Sequence, residues 1–317
     1  LYRSRQERLR RLPPDLPRDA ETLKTGALAI LLALLAGLPQ ASSPAAAAAG
    51  DPAARGAHLA AAAGCGRCHT DAAHKGAPYA GGRALAAPYG TIVTPNITPD
   101  RQTGIGGWRL ADFVKAMRWG IAPDDSHYLP AFPFTDYNRL SARDLDDLWA
   151  FLGTVPAAAQ VNRAGQRTPF AAARAAVAVA ASPFPGPWRP DPRKDAAWNR
   201  GDYLVATVGR CGDCHTARNW LGAPDTDHAL AGVAAGGDGH AVPNITPDPQ
   251  TGIGRWGIAD IVTLLTDGQL PDFDFVGGAM SEIVDNTARL DDADRRAIAI
   301  YLKSLKPIRS RKKAVKD

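Results

Sequence analysis

Cys65-Gly-Arg-Cys68-His69 and Cys211-Gly-Asp-Cys214-His215 take up every cysteine of the 317-residue chain. Cys-x-x-Cys-His is the pattern that attaches a c-type haem. Two residues between the cysteines let both sulfurs reach the vinyl edge of the macrocycle as thioethers. The histidine that follows folds under the iron as its proximal ligand. The pattern assigns Cys65, Cys68, Cys211 and Cys214 to haem attachment, and His69 and His215 to iron. A thioredoxin-like pair or half of a zinc site would also use Cys-x-x-Cys. Neither explains a histidine directly after the second cysteine in both copies. Two covalently bound haem c groups are the expectation.

Outward from each pentad the chain repeats itself. Pro95-Asn-Ile-Thr-Pro-Asp100 returns as Pro243-Asn-Ile-Thr-Pro-Asp248, and each copy runs on into Thr-Gly-Ile-Gly-x-Trp, ending at Trp108 and Trp256. The offset is 148 residues for Asn96/Asn244, Asp112/Asp260 and Gly120/Gly268, and 146 for the cysteines. Two copies are a tandem duplication, too few for a solenoid. Each copy reads as helix, haem motif, long loop, helix, loop, helix. Arg55 to Ala63 and Arg200 to Val208 are helical by composition and stop at Gly64 and Gly209. Leu110 to Trp119 and Ile258 to Thr266 place apolar residues at helical spacing before Gly120 and Gly268. Ser141 opens a helix to Leu152 with Leu145, Leu148, Trp149 and Leu152 on one stripe, and Leu290 to Leu305 is its counterpart. The fold class is all-α, with two tandem cytochrome c-like domains, 51–155 and 198–305, each carrying one covalent haem. Between them, 156–197 is a Pro/Ala-rich linker, with a short helix expected from Pro169 to Ala181.

Charge and composition bound the partners. Residues 1–24 and 303–317 carry +3 and +6, so the stretch between them is about −4 although the whole chain is +5. The basic balance therefore belongs to the two ends and gives no reason to expect nucleic acid. The basic tail, 306–317, offers a peripheral contact to anionic lipid or an acidic partner, or is simply a solvated run. Gly26 to Leu38 is an apolar run of thirteen, short for a membrane span, preceded by Lys24 and followed by small residues. It reads as a signal peptide within 1–50, with a mature start near Gly50 or Asp51 and a periplasmic location. An uncleaved N-terminal anchor is the alternative. The Gly-Ile-Gly pairs follow a Pro-rich loop, lack a third glycine and are no phosphate cradle. No Ser-His-Asp order or paired-carboxylate motif stands out.

The distal ligands separate the two copies. Met280 follows its pentad by 65 residues and precedes the last helix, where a thioether would complete haem 2. The 148-residue repeat offset carries Met280 onto Phe132, which cannot bind iron. His127, five residues earlier in that loop, is the candidate for haem 1. Met117, His74 and a five-coordinate iron are the alternatives.

With those residues in view, the chain resembles the c-type cytochrome subunits that accept electrons from periplasmic membrane-associated alcohol, gluconate and sorbitol dehydrogenases, and related subunits of molybdenum hydroxylases. The resemblance rests on both pentads, both Asn-Ile-Thr-Pro-Asp blocks, Trp198-Asn-Arg-Gly201 and the Ala297 to Leu302 helix. It implies an electron-transfer subunit more than a stand-alone enzyme. A dehydrogenase would be the donor and a quinone, small cytochrome or oxidase the acceptor. Two features depart from the family. Many relatives carry three haems, and the best-known members read Pro-Ala-Met-Pro where this chain has Pro130-Ala-Phe132-Pro. An open haem 1 would support a competing enzymatic reading, with peroxide, a small sulfur compound or a diatomic gas as substrate.

Overall fold

A computed structural model describes residues 50–310 apart from 88–89, 181–183, 220–221 and 235–239. The 26–38 run, residues 311–317 of the basic tail and residues 181–183 of the linker lie outside the described residues.

The fold is largely helical. α1 (Pro52–Ala62) starts with Asp51 accepting from the Ala53 N–H and Pro52 in its first turn. It buries Leu59 and Ala60 against α5 (Ala142–Leu152), which Ser141 caps by accepting from the Asp144 N–H at 3.0 Å. α3 (Leu110–Trp119) packs on α5 and ends at Gly120, whose φ of 63° is available to glycine at little cost. The same parts return in the second half. α7 (Ala196–Tyr203) continues through a π-helical turn, Leu204–Val208, and packs on α11 (Asp292–Ser304). α9 (Ile258–Asp267) packs on α11 and ends at Gly268. Remaining short helices are α2 (Cys65–Cys68), α4 (Phe134–Tyr137), α6 (Ala171–Ala180), α8 (Gly212–His215) and α10 (Ala279–Thr287).

Each terminal helix pair crosses at a glycine. A Cβ on Gly56 would lie 1.9 Å from the Asp147 carbonyl oxygen, and one on Gly201 would lie 2.1 Å from that of Ala297. Beside each crossing an arginine pairs with an aspartate through two nitrogens: Arg55 with Asp147 at 2.7 and 2.6 Å, and Arg200 with Asp294 at 2.7 and 2.6 Å. Buried side chains from both halves, Leu59, Phe113, Leu145, Leu204, Val208, Ile261 and Ile298 among them, form one continuous core.

Three elements differ from the sequence expectation. The all-α, largely helical class carries one small unexpected addition: Ala84–Ala87 and Gly90–Val93 form an antiparallel hairpin, β1 and β2, with Ala84 opposite Val93 and Ala87 opposite Gly90. An alanine-rich stretch carries no strand signal. It is held extended by tertiary packing: Gly90 bridges to Arg167, and a Cβ on Gly165 would lie 1.9 Å from the Thr91 carbonyl oxygen. Met280 is not in a loop before the last helix but in the first turn of α10. The 156–197 stretch docks at several described points. Trp188 donates its backbone N–H to Arg139 and its indole N–H to Asp202, and α6 buries Ala171 and Ala175 against Ala87, Leu129 and Ala131.

Candidate haem sites

Each pentad is one helical turn, closed by His69 N–H to the Cys65 carbonyl and His215 N–H to the Cys211 carbonyl, both at 2.9 Å. The turn brings the two cysteines and the histidine of each motif together. All four cysteines are unpaired thiols. Burial pushes the Cys65 thiol up to about 12 and that of Cys211 up to about 11. An attacking thiolate of the thioredoxin kind is therefore disfavoured in both turns.

The histidines are oriented identically. His69 Nδ1 lies 2.8 Å from the Pro95 carbonyl oxygen, and His215 Nδ1 lies 2.7 Å from that of Pro243. A carbonyl can only accept, so Nδ1 carries the proton and Nε2 keeps its lone pair for a metal. Burial lowers both imidazole pKa values while the carbonyl bonds work in the opposite direction. Both rings are thus held neutral, as iron ligation requires. After each pentad the chain turns back, and the N–H of Gly81 and of Gly232 donates to the carbonyl of His69 and of His215, each at 2.8 Å.

The repeated Asn-Ile-Thr-Pro-Asp block builds the frame behind those carbonyls. The Asn96 side-chain oxygen accepts from the Thr98 N–H, and its amide donates to Thr103 Oγ1 at 3.0 Å and to the Ala158 carbonyl at 2.7 Å. Asn244 does the same with Thr246, Thr251 and the Ile308 carbonyl. Asp100 and Asp248 accept from the backbone and hydroxyl of Thr103 and Thr251. The chain following each terminal helix is thereby tied to the loop that aims the histidine. Residues 306–310 take part, with Ile308 at Asn244 and Ser310 donating to the Ala231 carbonyl.

The sites also interlock, which sequence reading missed. Glu282, on α10 of the second half, accepts from Arg67 within the first pentad at 3.2 Å and from Arg83 at 3.2 Å. In return, the Arg210 guanidinium, directly before the second pentad, lies over the Tyr137 ring at 5.1 Å and donates to Asp213 at 2.7 Å. Burial, with Asp213 adding to it, lifts Asp136 to about 6 against the pull of Arg210 and Arg218. Neither contact leaves a local pattern in the sequence, because Glu282 lies 215 residues from Arg67.

The distal candidates are placed unequally. Met280 is half-buried at the start of α10. His127 is exposed and pairs its backbone with Ile121. Phe132 packs its ring against Tyr128, Phe134 and Tyr137 with centroids 5.7 to 6.5 Å apart. Met117 is buried in the core, and His74 is exposed and paired with Asp71.

The donor sets, two thiols and one neutral imidazole with a free Nε2 in each turn, fit a covalently held haem at both positions. A cytochrome c family model matches residues 53–156. A diheme c-type cytochrome of Cereibacter sphaeroides is 38% identical, over 81% of this chain and 86% of its own length. The chain belongs to the dihaem c-type cytochromes. This cytochrome is also similar to the cytochrome c subunit of the alcohol dehydrogenase (quinone) of Gluconobacter oxydans, 37% identical over 79% of the chain and 54% of that subunit. The fructose dehydrogenase cytochrome subunit of Gluconobacter japonicus is 38% identical over 79% of the chain and 52% of its own length. The cytochrome thus spans about half the length of either dehydrogenase subunit. Among its described residues, no helix is long and apolar enough to cross a membrane.

Proposed function

We propose that this cytochrome is a periplasmic electron carrier that takes electrons from a dehydrogenase and passes them to a quinone, a small cytochrome or an oxidase. The observation that carries the reading is the pair of pentads whose histidines are both fixed by a proline carbonyl, in a chain similar to cytochrome subunits of two dehydrogenases. Haem supplies the one-electron chemistry. The protein holds each histidine neutral and oriented, packs apolar side chains around the attachment turns, and ties the two turns to one another.

In this reading residues 1–50 carry the export signal, 51–155 and 198–305 are the two haem domains, 156–197 is the linker and 306–317 the basic tail. Cys65, Cys68, Cys211 and Cys214 carry the thioethers, and His69 and His215 are the proximal ligands. Met280 is the distal ligand of haem 2, and His127 takes the place vacated by Phe132 at haem 1. Denatured protein should retain two haems per chain, counted by mass spectrometry, and Cys211→Ser should leave one. Haem released by acid acetone, or zinc in its place, would overturn the assignment.

Phe132 favours one second reading, a haem 1 open to an exogenous ligand. Carbon monoxide binding to half of the reduced haem would support it, and two low-spin haems unchanged by carbon monoxide would remove it.

A further inference from the structure

Between α9 and α10 the chain forms a tight hairpin, Gln269 to Phe275, whose backbone repeats that of Ile121 to His127 in the first half. Leu270 N–H donates to the Asp274 carbonyl as Ala122 does to that of Ser126, both at 2.8 Å. Phe273 N–H donates to Leu270 as Asp125 does to Ala122, and the φ angles of Phe273 and Asp125 are 67° and 64°. Aspartate tolerates that left-handed conformation, and Asp125 is further used by an ion pair with Lys115 on α3. A bulky aromatic residue does not favour it, and the residue of α9 equivalent to Lys115 is Thr263. Phe273 nevertheless sits there 80% exposed, with Phe275 59% exposed at the position of His127. The backbone holds two aromatic rings in water where its own duplicate holds an aspartate and a histidine.

The surroundings say what kind of surface would cover them. From Trp256 to Ala288 there is no lysine or arginine and there are six acidic residues; the matching stretch of the first half, 108–140, has four of each. Asp272 and Asp274 flank Phe273 and are exposed at the tip. Two aromatics interleaved with carboxylates are repelled by anionic lipid and suit an apolar pocket with a cationic rim. We propose that the Gln269–Phe275 hairpin is the docking knob for a redox protein whose contact face is an apolar pocket rimmed by lysine and arginine. The proposal rests on the electron-transfer reading above, in which Met280, five residues beyond Phe275, belongs to haem 2. The partner then meets this cytochrome beside haem 2.

The test uses the full haem-loaded chain and, as probe, a lysine-rimmed mitochondrial cytochrome c. Phe273→Asn with Phe275→Thr removes both rings, keeps a residue that tolerates the left-handed φ at the tip and brings no imidazole near haem 2, so the hairpin keeps its fold. That double variant should weaken binding of the probe at low salt at least tenfold and slow electron exchange in parallel. Asp272→Lys with Asp274→Lys should weaken binding by a similar factor and flatten its dependence on ionic strength. Unchanged affinity in the aromatic double variant overturns the docking surface, as does a loss confined to phosphatidylglycerol vesicles, which would assign the rings to lipid. A wild-type chain that binds the probe through these rings but exchanges no electrons with it would leave the surface standing and overturn the electron-transfer reading instead.

Discussion

Asn96 is 2% exposed and makes bonds with three different segments, so its size matters less than its two-sided amide. Aspartate would keep the acceptor for the Thr98 N–H and lose both donors, so the Ala158 carbonyl and the Thr103 hydroxyl would each lose the hydrogen bond that Asn96 donates. Asn96→Ala should cost about 2–4 kcal/mol of stability by denaturant melting, since it strips a buried multi-segment clamp. It should also broaden the signals of haem 1 more than those of haem 2, because the Pro95 carbonyl that steers His69 sits next to the lost clamp. At the distal side the prediction is one of inequality. Met280→Ala should abolish a methionine–iron charge-transfer band and leave haem 1 as it was. His127→Ala should turn haem 1 high-spin. Two indistinguishable Met/His spectra in the wild-type protein would sink both assignments and point to Met117.

The helix pairs show local preference and tertiary need pulling in opposite directions. Replacing a helical glycine by alanine ordinarily stabilises a helix by about 1 kcal/mol. Gly56 and Gly201 should behave in the reverse sense, because the added methyl would lie 1.9 and 2.1 Å from backbone oxygens of α5 and α11, which cannot rotate away. Gly56→Ala and Gly201→Ala are each expected to lower stability by about 2–4 kcal/mol, read as a fall in the denaturant midpoint. A stabilised variant would mean that the helices cross elsewhere.

Across the whole molecule, side chains bridge the two halves at their shared core. His58 of the first half meets Asp294 of the second at 2.8 Å, and Tyr203 of the second donates to Asp144 of the first. Burial opposes ionisation of Asp294, but hydrogen bonds from Arg200 and His58 hold it down at about 2. A carboxylate depressed in this way contributes stability above its ordinary value near pH 4 and loses it as pH falls toward 2. The contribution is about 2 kcal/mol. Acid titration of unfolding free energy should show that loss in the wild type and a flatter limb in Asp294→Asn. Because Asp294 joins α11, α7 and α1, the acid transition should loosen both halves together, with one midpoint by circular dichroism and by haem absorbance.

Local chemistry makes much of this protein legible in one dimension. The pentads name their own cofactor, the 148-residue repeat shows the duplication, and helical periodicity with glycine stops places α3, α5 and α9 within a residue or so of their observed ends. Those signals are legible because thioether chemistry, side-chain spacing and left-handed glycine caps act over a few residues. The β1–β2 hairpin, the helical setting of Met280 and the interlock of Glu282 with Arg67 were not legible. Their stabilising partners lie far along the chain: Arg167 for Gly90, Leu265 for Thr287 on α10, and Arg67 at a separation of 215 residues for Glu282. Duplication accounts for the second pentad. Only the packing of the two copies into one core decided that the helix carrying Met280 would also brace the attachment turn of the first.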